Sequence, residues 1–301
     1  MNYKKQNESI ILEIDDHHAG ISILDFLKSY KQGKKQIHAL RMSQTVKLNH
    51  ELVKQNFEIL LKAGDVLEFP FFMKEKPDFI PQVMNLNIAY EDNFFLIIDK
   101  LPGLLVHPSE KDGRDTLCNG VSYYYQKTNQ HHRVRYIHRL DVETSGLIVF
   151  VKEGFLHSYY DDLLKDKVIK RNYLAITEGK MNFKTRSIET YLASDRHHNG
   201  KRRVAKTGEF ARTILNVLQS TEDYSLVKCN LDTGRTHQIR VHLSHIGHPI
   251  IGDKLYNPKE NQMIKRHALH ACELELTMPF TNERKLITSP LPNDMNKLII
   301  R

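Results

Sequence analysis

Three prolines within twelve positions constrain this chain more than any other feature: Pro70, Pro77 and Pro81 lie in F-P-F-F-M-K-E-K-P-D-F-I-P-Q-V (69–83). Proline removes a backbone donor and pushes the residue before it out of the helical region. Neither a helix nor a central strand is expected to run through this stretch. The 301 residues therefore divide into a small domain over 1–69, a Pro-rich linker over 70–84 and a large domain over 85–301. A chain of this length can bury more than one core.

The small domain reads as mixed α/β. I-I-L-E-I (10–14) alternates like a strand, while 23–30 and 34–42 carry apolar residues at helical spacing. T-V-K-L-N-H-E-L-V (45–53) reads as a hairpin around Asn49-His50, and 63–69 as a turn and a last strand. In the large domain, strands are expected at 94–100, 146–152, 173–179, 210–218, 224–231 and 272–278. Only 155–164 and 237–246 read as clear helices, so strand and helix do not alternate as a doubly wound fold requires. The expected class is α+β, with a mixed, mostly antiparallel central sheet and peripheral helices.

Charged residues make up 27% and hydrophobic ones 40%, the balance of a globular protein. The net charge of +8 suits a polyanion partner, although a merely basic protein gives the same count. The odd set Cys118, Cys229 and Cys272 shows no metal-type spacing and reads as free thiols. M-N-Y-K-K-Q-N-E is followed by no apolar stretch, and no run of about 18 apolar residues occurs. A cytoplasmic protein that does not engage membranes is expected, and most simply a monomer.

Four segments could carry chemistry. In H-R-L-D-V-E-T-S-G-L-I-V-F (138–150), Thr144-Ser145-Gly146 reads as a tight turn into a buried strand. Asp141 then sits on a loop at a core strand's end, either as a reactive carboxylate or as a turn cap paired with Arg139. In D-T-G-R-T-H-Q-I-R-V-H-L-S-H-I-G (232–247), Thr236 reads as an N-cap and Gly247 as the C-terminal left-handed residue. Ile239, Leu243 and Ile246 make the buried stripe. Arg240 stands at its edge, either facing solvent or half-buried with Asp141 as partner. The basic stretch D-R-H-H-N-G-K-R-R-V-A-K (195–206), with Asn199 and Gly200 at a hairpin tip, offers Lys201, Arg202 and Arg203 to phosphates. In K-R-N-Y-L-A (170–175), Tyr173 is either a packing residue or a stacking platform behind Lys170 and Arg171. His242, His245 and His248 form an H-x-x-H-x-x-H series without the acidic companion of a zinc site, so no metal is expected.

Taken together, H-R-L-D-V-E-T-S-G-L (138–147), K-R-N-Y-L-A (170–175) and G-R-T-H-Q-I-R-V-H (234–242) resemble the RluA-type pseudouridine synthase family, whose members include enzymes of the large ribosomal RNA. I-A-Y-E-D-N (88–93), P-G-L-L-V-H-P (102–108), H-P-I-I-G-D-K-L-Y (248–256) and A-L-H-A (268–271) extend the resemblance in order. K-L-P-G (100–103) shifts the family's usual proline by one, and Met278-Pro279 replaces its late His-Pro. Residues 8–69 resemble the alpha-L RNA-binding motif, with His50 where a glycine is common.

The resemblance implies that Asp141 is the catalytic aspartate, Tyr173 packs on the target uracil and Arg240 pairs with Asp141. It implies that Arg139 displaces or replaces the flipped nucleotide; His138, Lys170 and Arg235 are further candidate RNA contacts, and Lys34, Lys35 and Arg41 are those of the small domain. Isomerising uridine breaks the bond from N1 to the sugar, turns the base and joins its C5 to the sugar. Nothing is oxidised and no group is donated, so no cofactor is required. The carboxylate attacks the sugar, attacks the ring or draws a proton to a glycal; the resemblance leaves all three open. A base must leave its stack to reach it. Transfer RNA is the alternative substrate. A non-catalytic RNA-binding or ribosome-assembly factor is the rival from another class, and a metal-dependent hydrolase on the histidine series is a third.

Overall fold

The computed structural model describes residues 1–110, 112–198 and 200–299. Asn199, read above as part of a hairpin tip, lies outside them. The chain is α+β, built on two sheets. The first unit contains β1 (Asn2–Gln6), β2 (Ser9–Glu13), α1 (Ile23–Ser29), α2 (Lys34–Ser43), β3 (Lys47–Leu48), β4 (Glu51–Leu52) and β5 (Val66–Pro70). Its five strands run in the order β1-β2-β5-β3-β4. Ser22 caps α1 by accepting the Asp25 N–H at 3.0 Å. Asn49 and His50 form the β3–β4 turn with φ of 53° and 71°. A two-residue hairpin of this hand requires positive φ at both positions, which explains the usual glycine at the second.

Pro70 is the last residue of β5, opposite Ser9, and 71–87, which holds Pro77 and Pro81, contains no helix or strand. The segment is nevertheless pinned. Phe71 and Phe72 are buried, Glu75 pairs with Arg135, and Ser122 and Asn119 donate to the carbonyls of Phe79 and Ile80. Both sheets contribute to one apolar layer, in which Leu12, Phe26 and Phe69 share a cluster with Phe94, Leu147 and Leu274.

The second unit contains β6 (Ile88–Glu91), β7 (Phe95–Lys100), α3 (Leu117–Lys127), β8 (Ser145–Val151), α4 (Gly154–Lys165), β9 (Lys170–Glu178), β10 (Thr185–Ser194), β11 (Arg202–Ala205), β12 (Glu209–Ser220), β13 (Tyr224–Leu231), α5 (Gln238–His245), β14 (Leu269–Thr277), β15 (Arg284–Thr288) and α6 (Asn293–Ile299). Its main path is β11-β10-β12-β13-β9-β14-β8-β7-β6, with β15 on β14. Every pairing is antiparallel except β14–β8. All six strands read from the sequence are present, with ends displaced by up to three residues. The additional strands β6, β10, β11 and β15 bury few side chains, so their apolar signal in the sequence is weak.

β8 is buried along its entire length. It starts where the chain can approach β14 most closely: a Cβ on Gly146 (φ 112°) would lie 2.2 Å from the Ala271 carbonyl oxygen. No described helix is long and apolar enough to cross a membrane. The three cysteines are free and buried.

Candidate active site

The loop 138–144 is held at each step. His138 is buried, and its Nε2 accepts the Val149 N–H at 3.3 Å. Asp141 starts a turn closed by the Thr144 N–H on the Asp141 carbonyl at 3.1 Å. The turn therefore falls at 141–144, and Ser145 already belongs to the strand, three residues earlier than the Thr-Ser-Gly reading places it. Val142 O accepts from both Lys100 Nζ (3.0 Å) and the Gly103 N–H (2.8 Å). Glu143 O accepts from Arg266. Thr144 Oγ1 meets His267 Nε2 at 2.7 Å, and Ser145 Oγ meets His270 Nδ1 at 3.0 Å. The threonine and serine of the motif thus fasten the loop to the start of β14. With the carbonyls of Asp141, Val142 and Glu143 occupied, the turn has little freedom left.

Lys100 is buried, and its ammonium also donates to Leu101 O and Leu104 O. Burial pushes its pKa down to about 7. The three carbonyl acceptors match the three N–H groups of the charged form. The shifted proline of K-L-P-G leaves this arrangement intact.

Arg240 reaches the same point from α5. Its side chain is 8% exposed, more buried than its place at the stripe's edge suggested. Nη1 donates to Asp141 Oδ2 at 2.9 Å; Nε and Nη2 grip Asp253 at 2.7 and 2.8 Å. Burial opposes ionisation of Asp253, but the Arg240 hydrogen bonds hold its carboxyl below the ordinary value. The Tyr256 ring lies 5.0 Å from the guanidinium. The N-cap of α5 is His237, not Thr236. His237 is in the left-handed conformation (φ 58°) and caps with no side chain. Gln238 does the local organising instead, bonding Thr233, the Arg235 N–H, Arg212 O and Thr213. Gly247 is left-handed as expected (φ 85°), while Ile246 is only partly buried.

These elements enclose a cleft of about 770 Å³ lined by Asp141, Tyr173, Arg240, Arg139 and Arg235 among others. Six cations and two carboxylates face it. Asp141 remains 28% exposed at its floor. Tyr173 on β9 is 4% exposed and its hydroxyl pKa is raised by burial. Arg139 is exposed at the rim, 3.5 Å from His107. Arg235 is tied to Glu209 and Phe210 O.

Some expected residues sit elsewhere. Lys170 is on the opposite face of β9 from Tyr173, 3.6 Å from Glu275, because strand side chains alternate. The cleft receives Arg171 instead. His138 does line the cleft, but it is buried, and burial and then Arg171 push its pKa down to about 3. Lys201, Arg202 and Arg203 lie on the β10–β11 hairpin outside the cleft lining. They reach it indirectly: Arg202 N–H donates to Tyr256 OH, which meets His237 Nδ1 at 3.0 Å, and His237 Nε2 is 3.8 Å from Asp141. Lys34, Lys35 and Arg41 are on α2; the two lysines are exposed, and Arg41 stacks on Phe57 beside Glu58. Two of the three histidines of the series have structural partners, and His245 is exposed. His242 is enclosed by the hydroxyls of Thr190 and Thr213, and His248 meets Glu178 O.

Asp253, Arg171, His237 and Lys100 were not singled out from the sequence. Asp253 is inside the quoted H-P-I-I-G-D-K-L-Y, and the parity of β9 with Tyr173 could have found Arg171.

A family model described as RNA pseudouridylate synthase matches residues 94–245, and one described as RluD ribosomal pseudouridine synthase N-terminal domain matches 10–67. The chain is 39% identical to a protein of Bacillus subtilis (strain 168) named uncharacterized RNA pseudouridine synthase YhcT, over 99% of this chain and 98% of that one. It is 35% identical to ribosomal large subunit pseudouridine synthase D of Buchnera aphidicola subsp. Acyrthosiphon pisum (strain APS), over 85% and 86%. The structure of human RNA pseudouridylate synthase domain containing 4 shares the fold, with a TM-score of 0.59 at 24% identity over 70% of this chain and 90% of that chain. Two family models in chain order, and a relative matched along nearly its whole length, carry one conclusion: the chain belongs to the RNA pseudouridine synthase family.

Proposed function

We propose that this chain isomerises uridine to pseudouridine in large-subunit ribosomal RNA, with Asp141 as the reacting carboxylate. The observation that carries the reading is the Asp141–Arg240 contact of 2.9 Å at the floor of a cationic cleft beside Tyr173. Arg240 orients the carboxylate, Tyr173 packs on the extruded uracil and Arg139 fills the gap left in the RNA. The bond from N1 to C1′ breaks and one from C5 to C1′ forms. A proton leaves C5 and one is gained at N1, so atoms balance without a cofactor. One carboxylate suffices because water has to be kept out of the reaction, not activated.

Large-subunit ribosomal RNA is favoured because relatives carry that substrate in their names. Residues 1–69 act as an RNA-binding domain through Lys34, Lys35 and Arg41, and 85–301 as the catalytic domain, with 70–84 as the link. Lys201, Arg202 and Arg203 hold RNA phosphates, and the protein works in the cytoplasm as a monomer. Mapping pseudouridines in total RNA from cells lacking the protein, with and without wild-type rescue, tests the reading. Ribosomal sites lost and restored support it. Transfer RNA sites would move the substrate, and no lost site would leave only a binding role.

A further inference from the structure

Arg171 is a buried cation of the cleft whose guanidinium has no partner among the described residues. It is 9% exposed, yet among the described residues its side chain makes no hydrogen bond or ion pair, and its Nε is buried and unpaired. Among its neighbours in the cleft, Arg240 is served by Asp141 and Asp253 and Arg235 by Glu209, while Arg139, which has no carboxylate partner among the described residues, is exposed to solvent. An isolated buried charge is expensive, and buried charges are normally paired. The fold also makes room for this one. A Cβ on Gly234 would lie 3.0 and 3.1 Å from the two Nη atoms of Arg171, so the guanidinium rests against bare backbone. Arg171 stands two residues before Tyr173 on the same face of β9, and both line the cleft.

We infer that Arg171 is the anchor for a backbone phosphate of the RNA nucleotide that enters the cleft. A guanidinium offers a planar fork of donors matched to two phosphate oxygens. The arriving anion would supply the partner that the folded chain withholds. This rests on the proposed action on RNA, and it replaces Lys170, which faces away.

The test uses the full-length protein with Arg171→Met and Arg171→Lys. Binding to polyuridylate is followed across salt concentration, and melting temperature is recorded alongside. Arg171→Met is expected to lower the slope of log affinity against log salt by about 0.7, the value for one phosphate contact on a single strand. Arg171→Lys is expected to keep the slope. Removing an unpaired buried charge is expected to leave the melting temperature of Arg171→Met unchanged or raised, whereas loss of a structural arginine would lower it. An unchanged slope, or a methionine variant that melts lower, would overturn the inference. In a further arm, inorganic phosphate at matched ionic strength is added to wild type and Arg171→Met. Stabilisation of wild type alone, with an unchanged polyuridylate slope, would assign the site to a free anion and also sink the RNA claim. Isomerisation is scored separately, so failure of the synthase reading leaves the slope measurement interpretable.

Discussion

Arg240 gives Asp141 one hydrogen bond, 2.9 Å from Nη1 to Oδ2, and commits its other edge to Asp253. Asp141 Oδ1 has no partner among the described residues. The carboxylate is thus aimed by one oxygen and open at the other, which suits a group that must react.

Asp253 is the clamp behind this geometry. Asp253→Asn is expected to cost about 3 kcal/mol of stability, since it breaks a buried ion pair. It is also expected to slow isomerisation about 100-fold by misplacing Arg240, with polyuridylate binding nearly unchanged. Urea unfolding and a turnover assay check the two effects. Full activity in Asp253→Asn would show that Arg240 keeps its aim without the clamp.

Gly146 is required by contact as much as by conformation. Its φ is 112°, and a Cβ would lie 2.2 Å from Ala271 O. Gly146→Ala must part β8 from β14, and a loss above about 4 kcal/mol is expected. Soluble yield and the urea midpoint read this directly; a wild-type midpoint would refute the close approach.

Lys100 holds Val142 O, next to Asp141 in the chain. Lys100→Met leaves the carbonyls of Leu101 and Leu104 without their donor and Val142 O with the Gly103 N–H alone, and a loss of about 3 kcal/mol is expected. Hydrogen exchange at 141–144 should quicken in this variant before it does elsewhere. Unaltered exchange there would free the loop from dependence on Lys100.

Acid should weaken the fold through buried histidines. Burial lowers His138 and His267 to about 3 and His242 to about 4, from 6.5. Between pH 6.5 and about 4 the unfolded chain therefore binds more protons than the folded one, so stability falls as pH falls. Each histidine contributes up to about 1.4 kcal/mol per pH unit in that window. Melting curves at pH 7.5, 6.5 and 5.5 should show the decline, and His242→Gln should flatten it. A melting temperature independent of pH across that range would contradict the burial of these rings as neutral groups.

What was legible in the sequence was local. The strand 145–151 announces itself by an unbroken apolar run, and the Asn49-His50 turn by its residues. α3 was missed because Gly120 and a tyrosine run hide its period, although Thr116 and Asn119 form a capping box. β10 is not legible because its pattern is largely polar and mostly exposed. At the site, Asp141 and Arg240 could be matched as opposite charges near buried elements. Asp253 could not be: an aspartate after Gly252 reads as a turn residue until the fold closes it on Arg240 from 13 positions away. Charge does not separate Lys170 from Arg171; strand parity does, placing Arg171 on the cleft face with Tyr173.

The most direct measurement is tritium release from RNA labelled at uracil C5, because each isomerisation removes one hydrogen from that carbon. Wild type and Asp141→Asn are compared after matched melting curves and RNA affinities show that both fold and bind. Wild type is expected to release tritium in proportion to its target sites, and Asp141→Asn to release none above background. Release by Asp141→Asn at the wild-type rate would contradict the catalytic assignment of Asp141.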